Sequence, residues 1–528
     1  MSLPTNNYAA AVGASVQNYQ FQSTASVLQR KVLIMGTALP ANAGFTNYVP
    51  YLSSSPNQTG LIFGYGSMLH RMHLQVQAGM NAVGVSVPVY IMPDSETNIT
   101  TPAAASGTLA LTGPATAAGV YSLYIDNIQY AITCPNTTTA AALGALIVAA
   151  INADSSCPVT ASGTGTVTFT AKSKGIWGNF ISISVNLQAT DAPVPGVTGV
   201  ITAMASGAGT NSTSITAMLA ALGQGDAANQ GGYTDLVCGY HLDQTVLTAI
   251  GTYNGLGNTA GGLYSPVVHR PFRCLWGDTT TTSQPTTLLA LAVTNNQDRC
   301  NGVIAAPGSM THPEEIAAWA IGYMAAVNNL TAEAMYVGTI MSGIDPGNAA
   351  GSAGTRWTDT YATRGNAVGN GIGTTLAQGG YLTLQNVITF YSPAGLSSTS
   401  NGYREMRNIS ILQNILNAIW QDFAQSKWQG CSICADVSKV TDPTSKQKAR
   451  DVDSVRVDWV ALIQSFVGHN WIYSANLPMK ALAPGGTAIT VRPAGDGFIA
   501  VVPMVLSGPG NVFDNTVNFD IAINTLTA

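Results

Sequence analysis

Residues 61–92 read LIFGYGSMLHRMHLQVQAGMNAVGVSVPVYIM, and this stretch decides the fold class. Leu61–Phe63 is a short apolar run that predicts a buried strand, and the glycines after it predict a turn that ends at Ser67, a favourable helix N-cap. The next apolar residues recur at helical spacing on one face, at Leu69, Met72, Val76 and Met80. Gly84 then precedes a second apolar strand, Val85–Met92. Strand, helix and strand in this order predict a β-α-β unit.

The same alternation of strands and helices recurs on both sides of this unit. The continuous apolar run Val32–Met35 predicts a strand buried on both faces, and further strands are predicted at Asp235–Gly239, Gly302–Ala306 and Leu382–Tyr391. Thr311–Glu314 predicts a capping box with proline in the first turn, opening a helix whose inner face holds Ile316, Trp319, Ala320, Tyr323, Met324 and Val327. A later helix carries an apolar stripe, at Leu412, Ile415, Leu416, Ile419 and Phe423. The sequence therefore predicts an α/β core.

Residues from about 100 to 200 interrupt this α/β alternation with short strands separated by turn residues. The strands are predicted at Thr108–Thr112, Tyr121–Ile125, Gln129–Thr133, Val167–Thr170 and Ile181–Val185. One amphipathic helix lies among them, with Leu143, Leu146, Ile147, Ala150 and Ile151 at helical spacing. We interpret residues 101–199 as a mainly β domain inserted into a loop of the α/β core.

The end of the chain alternates apolar and polar residues with period two. The apolar positions are Phe513, Val517, Phe519, Ile521 and Ile523, and a fainter copy of the pattern holds Tyr19 and Phe21 near the start. Such a strand needs a sheet to join, either that of its own subunit or that of a neighbour. We therefore divide the chain into arms at 1–27 and 506–528, a discontinuous core at 28–100 and 200–505, and the insertion at 101–199.

Charged residues make up only 9% of the 528 residues, whereas about a quarter is ordinary for soluble proteins. Such a surface either meets water through hydroxyls and amides or is covered by partners. The net charge of −5 gives no argument for nucleic-acid binding. The first residues show no signal-peptide pattern, and the apolar runs Ala140–Ile151 and Ile316–Val327 are too short to span a bilayer. We expect the chain to be made in a cytoplasm without membrane insertion.

Candidate chemical motifs are few. The glycines at 64 and 66 lack the remaining residues of a phosphate-binding or dinucleotide fingerprint. Cys431 and Cys434 form a single CxxC without a second pair, and core cysteines are the simpler interpretation. His70 and His73 are three residues apart without a nearby carboxylate, which favours a solvated helix face. A hydrolase using Asp235 or Ser309 remains an alternative, although Ser309 lacks a nucleophile elbow. We predict no cofactor, metal or catalytic site.

The most charged segment lies between residues 439 and 458 and mixes both signs. Its charged residues include Lys446, Lys448, Arg450, Asp451, Asp453 and Arg456. Mixed charge suits an ion-pairing protein surface better than a nucleic-acid stripe. A solvated helix face explains the segment equally well, so both interpretations stay open.

Several stretches, in their order along the chain, resemble contractile tail sheath proteins of Mu-like bacteriophages. They are Gly64–Met68 with Arg71-Met72 and Ile91–Pro93; Tyr121–Ile125, the helix through Asn152, and Thr170–Gly175 before Gly178-Asn179; Thr202–Gly209; and Gly379–Tyr391 with Asn401–Arg404. Each motif is mostly glycine and apolar spacing, and their order over nearly the whole chain carries the resemblance. Thr389–Tyr391 departs from the family's tendency toward Thr-Thr-Tyr.

The resemblance implies a non-enzymatic structural subunit that stacks in six-fold rings around a tail tube and contracts to drive the tube through the host envelope. It implies an α/β core whose subtilisin-like label describes the fold alone, and terminal arms that add strands to neighbouring subunits. The implied partners are other copies of the chain, the tube protein, the baseplate and the tail terminator, with the virion tail as location. The sheath of a non-phage contractile injection system is the alternative. On this basis the charged segment would face the tube.

Overall fold

The computed structural model describes residues 27–40, 44–255, 262–265, 268–280, 286–347, 361–392, 402–473, 489–494 and 497–508. The predicted terminal strands lie outside these ranges, with Tyr19, Phe21, Phe513, Val517, Phe519, Ile521 and Ile523.

Helices and strands alternate along most of the described chain. The helices are α1 (Pro56–Phe63), α2 (Met68–Val83), α3 (Ala140–Ala153), α4 (Ser212–Ala221), α5 (Gln244–Asn254), α6 (Thr286–Thr294), α7 (Pro313–Leu330), α8 (Tyr361–Gly369), α9 (Met406–Phe423), α10 (Pro443–Lys448) and α11 (Val452–Gly468).

The strands are β1 (Val32–Ala38), β2 (Tyr51–Ser53), β3 (Val89–Ser95), β4 (Thr100–Ala103), β5 (Ser106–Thr112), β6 (Gly119–Ile125), β7 (Ile128–Cys134), β8 (Val159–Gly163), β9 (Thr166–Ala171), β10 (Ile183–Val185), β11 (Thr198–Ala205), β12 (Ala208–Thr210), β13 (Asp235–Cys238), β14 (Arg273–Asp278), β15 (Asn301–Ala305), β16 (Gly373–Gln378), β17 (Tyr381–Asn386), β18 (Ser432–Ile433), β19 (Ala449–Arg450), β20 (Thr490–Ala494) and β21 (Gly497–Val501).

An eight-stranded sheet forms the centre of the fold, in the order β17-β16-β15-β14-β13-β1-β3-β2. Its six inner strands run parallel, whereas β17 and β2 pair antiparallel at the two edges. Strand β1 is buried along its whole length, and β13, β14 and β15 are also buried throughout. Continuous apolar runs form such strands because helices cover both faces of a parallel sheet. The predicted α/β fold with a large sheet is confirmed.

Helices α2 and α7 cross at very short range because glycines face each other's backbone. A Cβ on Gly79 would lie 2.1 Å from the carbonyl oxygen of Trp319, and a Cβ on Gly322 would lie 2.1 Å from the carbonyl oxygen of Val76. Almost every residue in the first half of α7 is buried, so this helix has no solvated face there. The predicted inner face, from Ile316 to Val327, is therefore only part of its buried surface.

Residues 100–210 contain small antiparallel sheets. The four-stranded sheet has the order β11-β5-β9-β8, the three-stranded sheet has the order β10-β6-β7, and β4 pairs with β12. Helix α3 buries Leu143, Ile147 and Ile151, whereas Leu146 is exposed. Because β11 pairs with β5 and β12 pairs with β4, the strand pairing continues past residue 199 to Thr210.

The described chain divides into two compact units. One contains residues 27–417 together with 506–508, and the other contains residues 418–505, with the division falling inside α9. In the second unit α11 packs against the β20–β21 hairpin, and β18 pairs with β19. The sequence interpretation had placed residues 418–505 within the core. The boundaries of the inserted domain and of the arms stay predictions.

Three local predictions are wrong. Leu61–Phe63 is the last turn of α1 and not a strand, because Ser55 caps the helix at Gln58 N and Pro56 occupies its first turn. The second strand of the β-α-β unit begins at Val89 rather than Val85, and β1 is its first strand. Helix α7 is capped by His312 and not by Thr311, whose hydroxyl accepts a hydrogen bond from Asp345 N at 2.9 Å.

Helix α9 also differs from its predicted stripe. Ile415 is buried, but Leu412, Leu416, Ile419 and Phe423 are only partly buried. Its first turns bury polar side chains as well as apolar ones. Within the described part of the chain, no helix is both long enough and apolar enough to cross a membrane.

Candidate functional sites

The carboxyl ends of the parallel strands hold a buried group of titratable side chains. This edge is where open α/β sheets usually bind ligands. His241 follows β13, Asp278 ends β14, and Glu314 lies in the first turn of α7. Nδ1 of His241 lies 2.8 Å from Oε1 of Glu314. Burial raises the pKa of the Glu314 carboxyl well above its usual range, and the charge of Asp278 raises it further. Burial also lowers the pKa of His241 to about 4.

Those shifts indicate a neutral pair at neutral pH, in which a protonated carboxyl and a neutral imidazole share a hydrogen bond. Although the 2.8 Å contact has the geometry of an ion pair, burial opposes charge on both partners. We therefore interpret it as a buried hydrogen bond between His241 and Glu314.

Aromatic side chains from the β-rich region cover this group. The ring of Trp177 stacks on His312 with centroids 4.2 Å apart, and the ring of Phe180 lies 3.7 Å from that of His241. Nδ1 of His312 accepts from Glu314 N at 3.2 Å, so Nε2 carries the proton and donates to the carbonyl oxygen of Trp177 at 3.0 Å. Burial lowers the pKa of His312 to about 3. Aromatic packing thus covers His241 and His312 at the carboxyl ends of the strands.

The two hydrolase candidates lie at opposite ends of the sheet. Asp235 begins β13 and binds Arg273, whose Nε donates to Oδ1 at 2.5 Å. Ser309 follows β15 at the carboxyl end, and its hydroxyl donates to the carbonyl oxygen of Asp345 at 2.6 Å. Because β13 and β15 are parallel, the start of one and the end of the other lie at opposite ends of the strands. The fold therefore does not bring Asp235 and Ser309 into one site. No histidine hydrogen-bonds to Ser309 within the described residues.

The predicted solvated face for His70 and His73 is wrong, because both side chains are buried. Nδ1 of His73 lies 2.6 Å from the hydroxyl oxygen of Thr59, and Nδ1 of His70 accepts from Gly66 N at 3.2 Å. Burial lowers the pKa of each imidazole to about 4. The described residues contain no group of three or more side chains that could hold a metal ion.

The charged segment is placed by α10, β19 and the start of α11. Asp451 is buried and caps α11, accepting from Ser454 N at 2.8 Å in a capping box. Arg456 pairs with Asp453 three residues earlier, on an exposed surface. Arg450 lies over the ring of Trp428, 5.8 Å from its centroid. The six charged residues therefore do not form one uniform surface, because Asp451 is turned inward.

Lys446 and Lys448 lie in the last turn of α10 and are exposed. Among the described residues, neither lysine forms an ion pair. Their placement at a helix C-terminus is favourable because the helix dipole attracts cations there. These two lysines are therefore exposed charges of the predicted segment without an ionic partner among the described residues.

Arg71 and Glu315 form a buried ion pair that the sequence interpretation missed. The guanidinium of Arg71, in α2, reaches the carboxylate of Glu315, in α7, at 2.7 Å. A signal was present in the sequence. Helix α7 is apolar all round, which predicts a helix without a solvated face. A glutamate in such a helix is expected to be buried, either protonated, as Glu314 is, or paired with a cation.

The comparison with curated proteins finds a relative among prophage proteins. The chain is 29% identical over 214 residues to the Mu-like prophage FluMu tail sheath protein of Haemophilus influenzae. The match covers 39% of this chain and 42% of the relative, so it spans less than half the relative's length. The resemblance to Mu-like tail sheath proteins is thereby confirmed. No family model matches the chain.

Two solved structures illustrate the structural comparison. The sheath tail protein of Desulfitobacterium hafniense is 12% identical, with a TM-score of 0.42, over 94% of this chain and 100% of that one. The contracted sheath complex of an extracellular contractile injection system is 9% identical, with a TM-score of 0.46, over 98% of this chain and 99% of that one.

Proposed function

We propose that the chain is the subunit of a contractile phage tail sheath. It polymerises as stacked six-fold rings around a tail tube and contracts to drive the tube through the host envelope. The similarity to a Mu-like prophage tail sheath protein over 214 residues carries this proposal. The chain assembles in the host cytoplasm and acts in the virion tail, with the tube, baseplate and tail terminator as further partners. It works without a cofactor and without catalysis.

The α/β core in this proposal is the subtilisin-like core of a sheath, with residues 101–199 as its inserted domain. The packing at the carboxyl edge supports a structural role. Trp177 and Phe180 cover His312 and His241 there, and the two hydrolase candidates lie at opposite ends of the sheet.

The terminal arms link neighbouring subunits by adding strands to their sheets. Tyr19, Phe21, Phe513, Val517, Phe519, Ile521 and Ile523 are the contact residues. The β20–β21 hairpin supports an acceptor role for the second compact unit, because it is a two-stranded sheet in which each strand pairs only with the other among the described residues. Ile499 and Val501 on β21 are exposed, and an open apolar edge is a template for another strand.

The charged segment contacts the tube through its outward side chains. Lys446, Lys448 and Arg450 supply positive charge, and Asp453 and Arg456 supply an exposed pair. Asp451 supports the segment as the cap of α11. Ionic contacts of this kind set register and dissociate more readily than apolar contacts, which suits an interface that must release on contraction.

Negative-stain microscopy of the purified protein tests the assembly. The intact chain is expected to form tubes or rings, and a chain lacking residues 511–528 is expected to stay a folded monomer. A second pair of variants tests whether assembly needs the apolar face of the arm or only the length of the arm. One carries Phe519→Asp, Ile521→Asp and Ile523→Asp, and the other carries Thr516→Asp, Asn518→Asp and Ala522→Asp.

The first variant is expected to stay monomeric and the second to polymerise, although both add the same number of charges. Long tubes formed by the truncated chain would contradict strand addition by the C-terminal arm. A wild-type protein that remains monomeric at every concentration and ionic strength would contradict the sheath proposal itself.

A further inference from the structure

The first turns of α9 bury a row of polar side chains. Arg407, Ser410, Gln413 and Asn414 are at most 4% exposed. Burying polar groups is costly unless each finds a hydrogen-bond partner. Two groups of their partners are distant in sequence, the residues around Arg30 and the residues around Ser507, and Gln413 also donates to the carbonyl oxygens of Thr234 and Pro271.

The N-terminal root, residues 27–31, is fixed to α9 through backbone and side chain. Leu28 N donates to Oδ1 of Asn414 at 2.7 Å. The guanidinium of Arg30 is fully buried and donates to the amide oxygen of Gln413 and to the hydroxyl and carbonyl oxygens of Ser410. Burial lowers the pKa of Arg30 to about 10, which leaves it protonated at neutral pH. These charge-assisted bonds are stronger than neutral ones.

The C-terminal root, residues 506–508, is fixed to the same helix by Arg407. Its Nη1 donates to the carbonyl oxygen of Ser507 at 2.6 Å, and its Nη2 donates to the hydroxyl of Ser507 at 2.9 Å. Nε of Arg407 donates to the carbonyl oxygen of Glu333 at 2.5 Å, which fixes the orientation of the guanidinium. Ser507 itself is buried.

Both roots therefore meet on one face of one helix. Arg407 and Asn414 are seven residues apart, which in an α-helix places them on the same side and about 10 Å apart along the axis. The N-terminal root passes α9 before it enters β1, the fully buried strand inside the large sheet.

We propose that the first two turns of α9 are a common anchor through which tension passes from one terminal arm to the other. This inference rests on the proposed function, in which the arms link neighbouring subunits. Force applied at residue 27 is transmitted to Asn414 and Gln413. It then passes along α9 to Arg407 and from there to residue 508. The β-rich region then carries little of the load while neighbouring subunits move.

Pulling single full-length molecules by their two ends at constant force tests the anchor. Asn414→Ala removes the bond from Leu28 N and the bond from Nδ2 of Asn414 to the carbonyl oxygen of Ser410 at 2.8 Å. Asn152→Ala is the matched control, because Asn152 makes two hydrogen bonds to Ala161 in the β-rich region, at 2.8 and 2.9 Å. Asn414→Ala is expected to raise the rate of the first rupture about tenfold, because it removes the hydrogen bond that holds residue 28 on α9. Asn152→Ala is expected to leave that rate unchanged.

Ser507→Ala gives a second measurement at the other root, where it removes the hydroxyl that Arg407 binds and leaves the backbone intact. It is expected to raise the same rupture rate several-fold. Hydrogen exchange of the Leu28 amide is expected to accelerate at least tenfold in Asn414→Ala and to stay at the wild-type rate in Asn152→Ala. Equal first-rupture rates in wild type, Asn414→Ala and Ser507→Ala would overturn the anchor.

The sheath function and the anchor in α9 can be contradicted independently of each other. A wild-type chain that never polymerises but shows the rupture effect would contradict the sheath function and support the anchor in the monomer. A chain that polymerises but whose rupture rate is unaffected by both root variants would contradict the anchor and support the sheath function.

Discussion

Arg71 and Glu315 join α2 to α7 by a paired contact inside the core. Nε and Nη2 of Arg71 donate to the two carboxylate oxygens of Glu315 at 2.7 and 2.8 Å, and Nε2 of Gln75 donates to Oε2 at 3.2 Å. Asp126, from the β-rich region, lies in the same buried group. Burial raises the pKa of the Asp126 carboxyl well above its usual range, and the charge of Glu315 raises it further. Burial also raises the pKa of the Glu315 carboxyl, whereas the charge of Arg71 and its hydrogen bonds act in the opposite direction and favour the ionised form.

Glu315→Gln is expected to lower the free energy of unfolding by about 3–5 kcal/mol, because it leaves the Arg71 charge buried without a carboxylate. Chemical denaturation followed by tryptophan fluorescence measures the change. Asp453→Asn is the matched control, because Asp453 pairs with Arg456 on an exposed surface. Its expected cost is about 0–1 kcal/mol. Equal costs for the two variants would show that the buried pair contributes no more than a surface pair.

Gly79→Ala is expected to lower the free energy of unfolding by at least about 2 kcal/mol, although alanine is the better helix former by about 1 kcal/mol. Its Cβ would meet the carbonyl oxygen of Trp319 at 2.1 Å, so the two helices would have to separate. Gly365→Ala in α8 is the control, because a Cβ there has open space. That substitution is expected to stabilise the protein by about 0.5–1 kcal/mol. Thermal unfolding measures both changes. An increase in stability with Gly79→Ala would contradict the close crossing of α2 and α7.

The sequence predicted the parts of the fold that local patterns determine. β1, β13 and β15 are continuous apolar runs, and α2 and α3 carry clear helical periodicity, so their identity follows from one stretch of chain each. Leu61–Phe63 was assigned wrongly because three apolar residues fit a strand and a helix end equally well. The capping serine, Ser55, lies six residues earlier and determines the outcome.

The candidate sites were less predictable because they depend on contacts between distant residues. His241 meets Glu314 across 73 positions, and Arg71 meets Glu315 across 244. The apolar sequence of α7 indicates that its glutamates are buried, but no local pattern identifies their partners. The polar face of α9 was also missed, because Arg407 and Gln413 resemble solvated positions until their partners Ser507 and Arg30 are known. Lys446 and Lys448 were predicted as charged surface, and their partner stays a proposal.

His73 makes the stability of the protein sensitive to mild acid. Burial lowers the pKa of its imidazole to about 4, with the charge of His70 as the second cause, whereas an unfolded histidine titrates near 6.5. The unfolded chain therefore binds the proton first, so stability is full above pH 6.5 and falls as the pH drops towards 4. The loss from His73 is about 3 kcal/mol at most.

The pH dependence of the unfolding free energy between pH 6.5 and 4 reports the protons taken up on unfolding. His73→Gln is expected to lower that uptake by about one proton. Unfolding curves at several pH values measure that pH dependence. Above pH 7 the stabilities of wild type and variant are expected to run parallel, which is the internal control. An unchanged slope in the acid range would mean that His73 is accessible to protons in the folded protein.

Asp451→Ala separates the structural role of the charged segment from its proposed contact with a partner. Asp451 Oδ1 accepts from Ser454 N at 2.8 Å, and its Oδ2 accepts from Val437 N at 2.9 Å. Losing the cap is expected to lower the free energy of unfolding by about 1–2 kcal/mol. Lys446→Ala and Lys448→Ala are expected to change it by less than about 0.5 kcal/mol, because both side chains are exposed and make no ion pair among the described residues. Thermal unfolding ranks the three variants, and a lysine variant as costly as Asp451→Ala would place that lysine in the fold rather than at an interface.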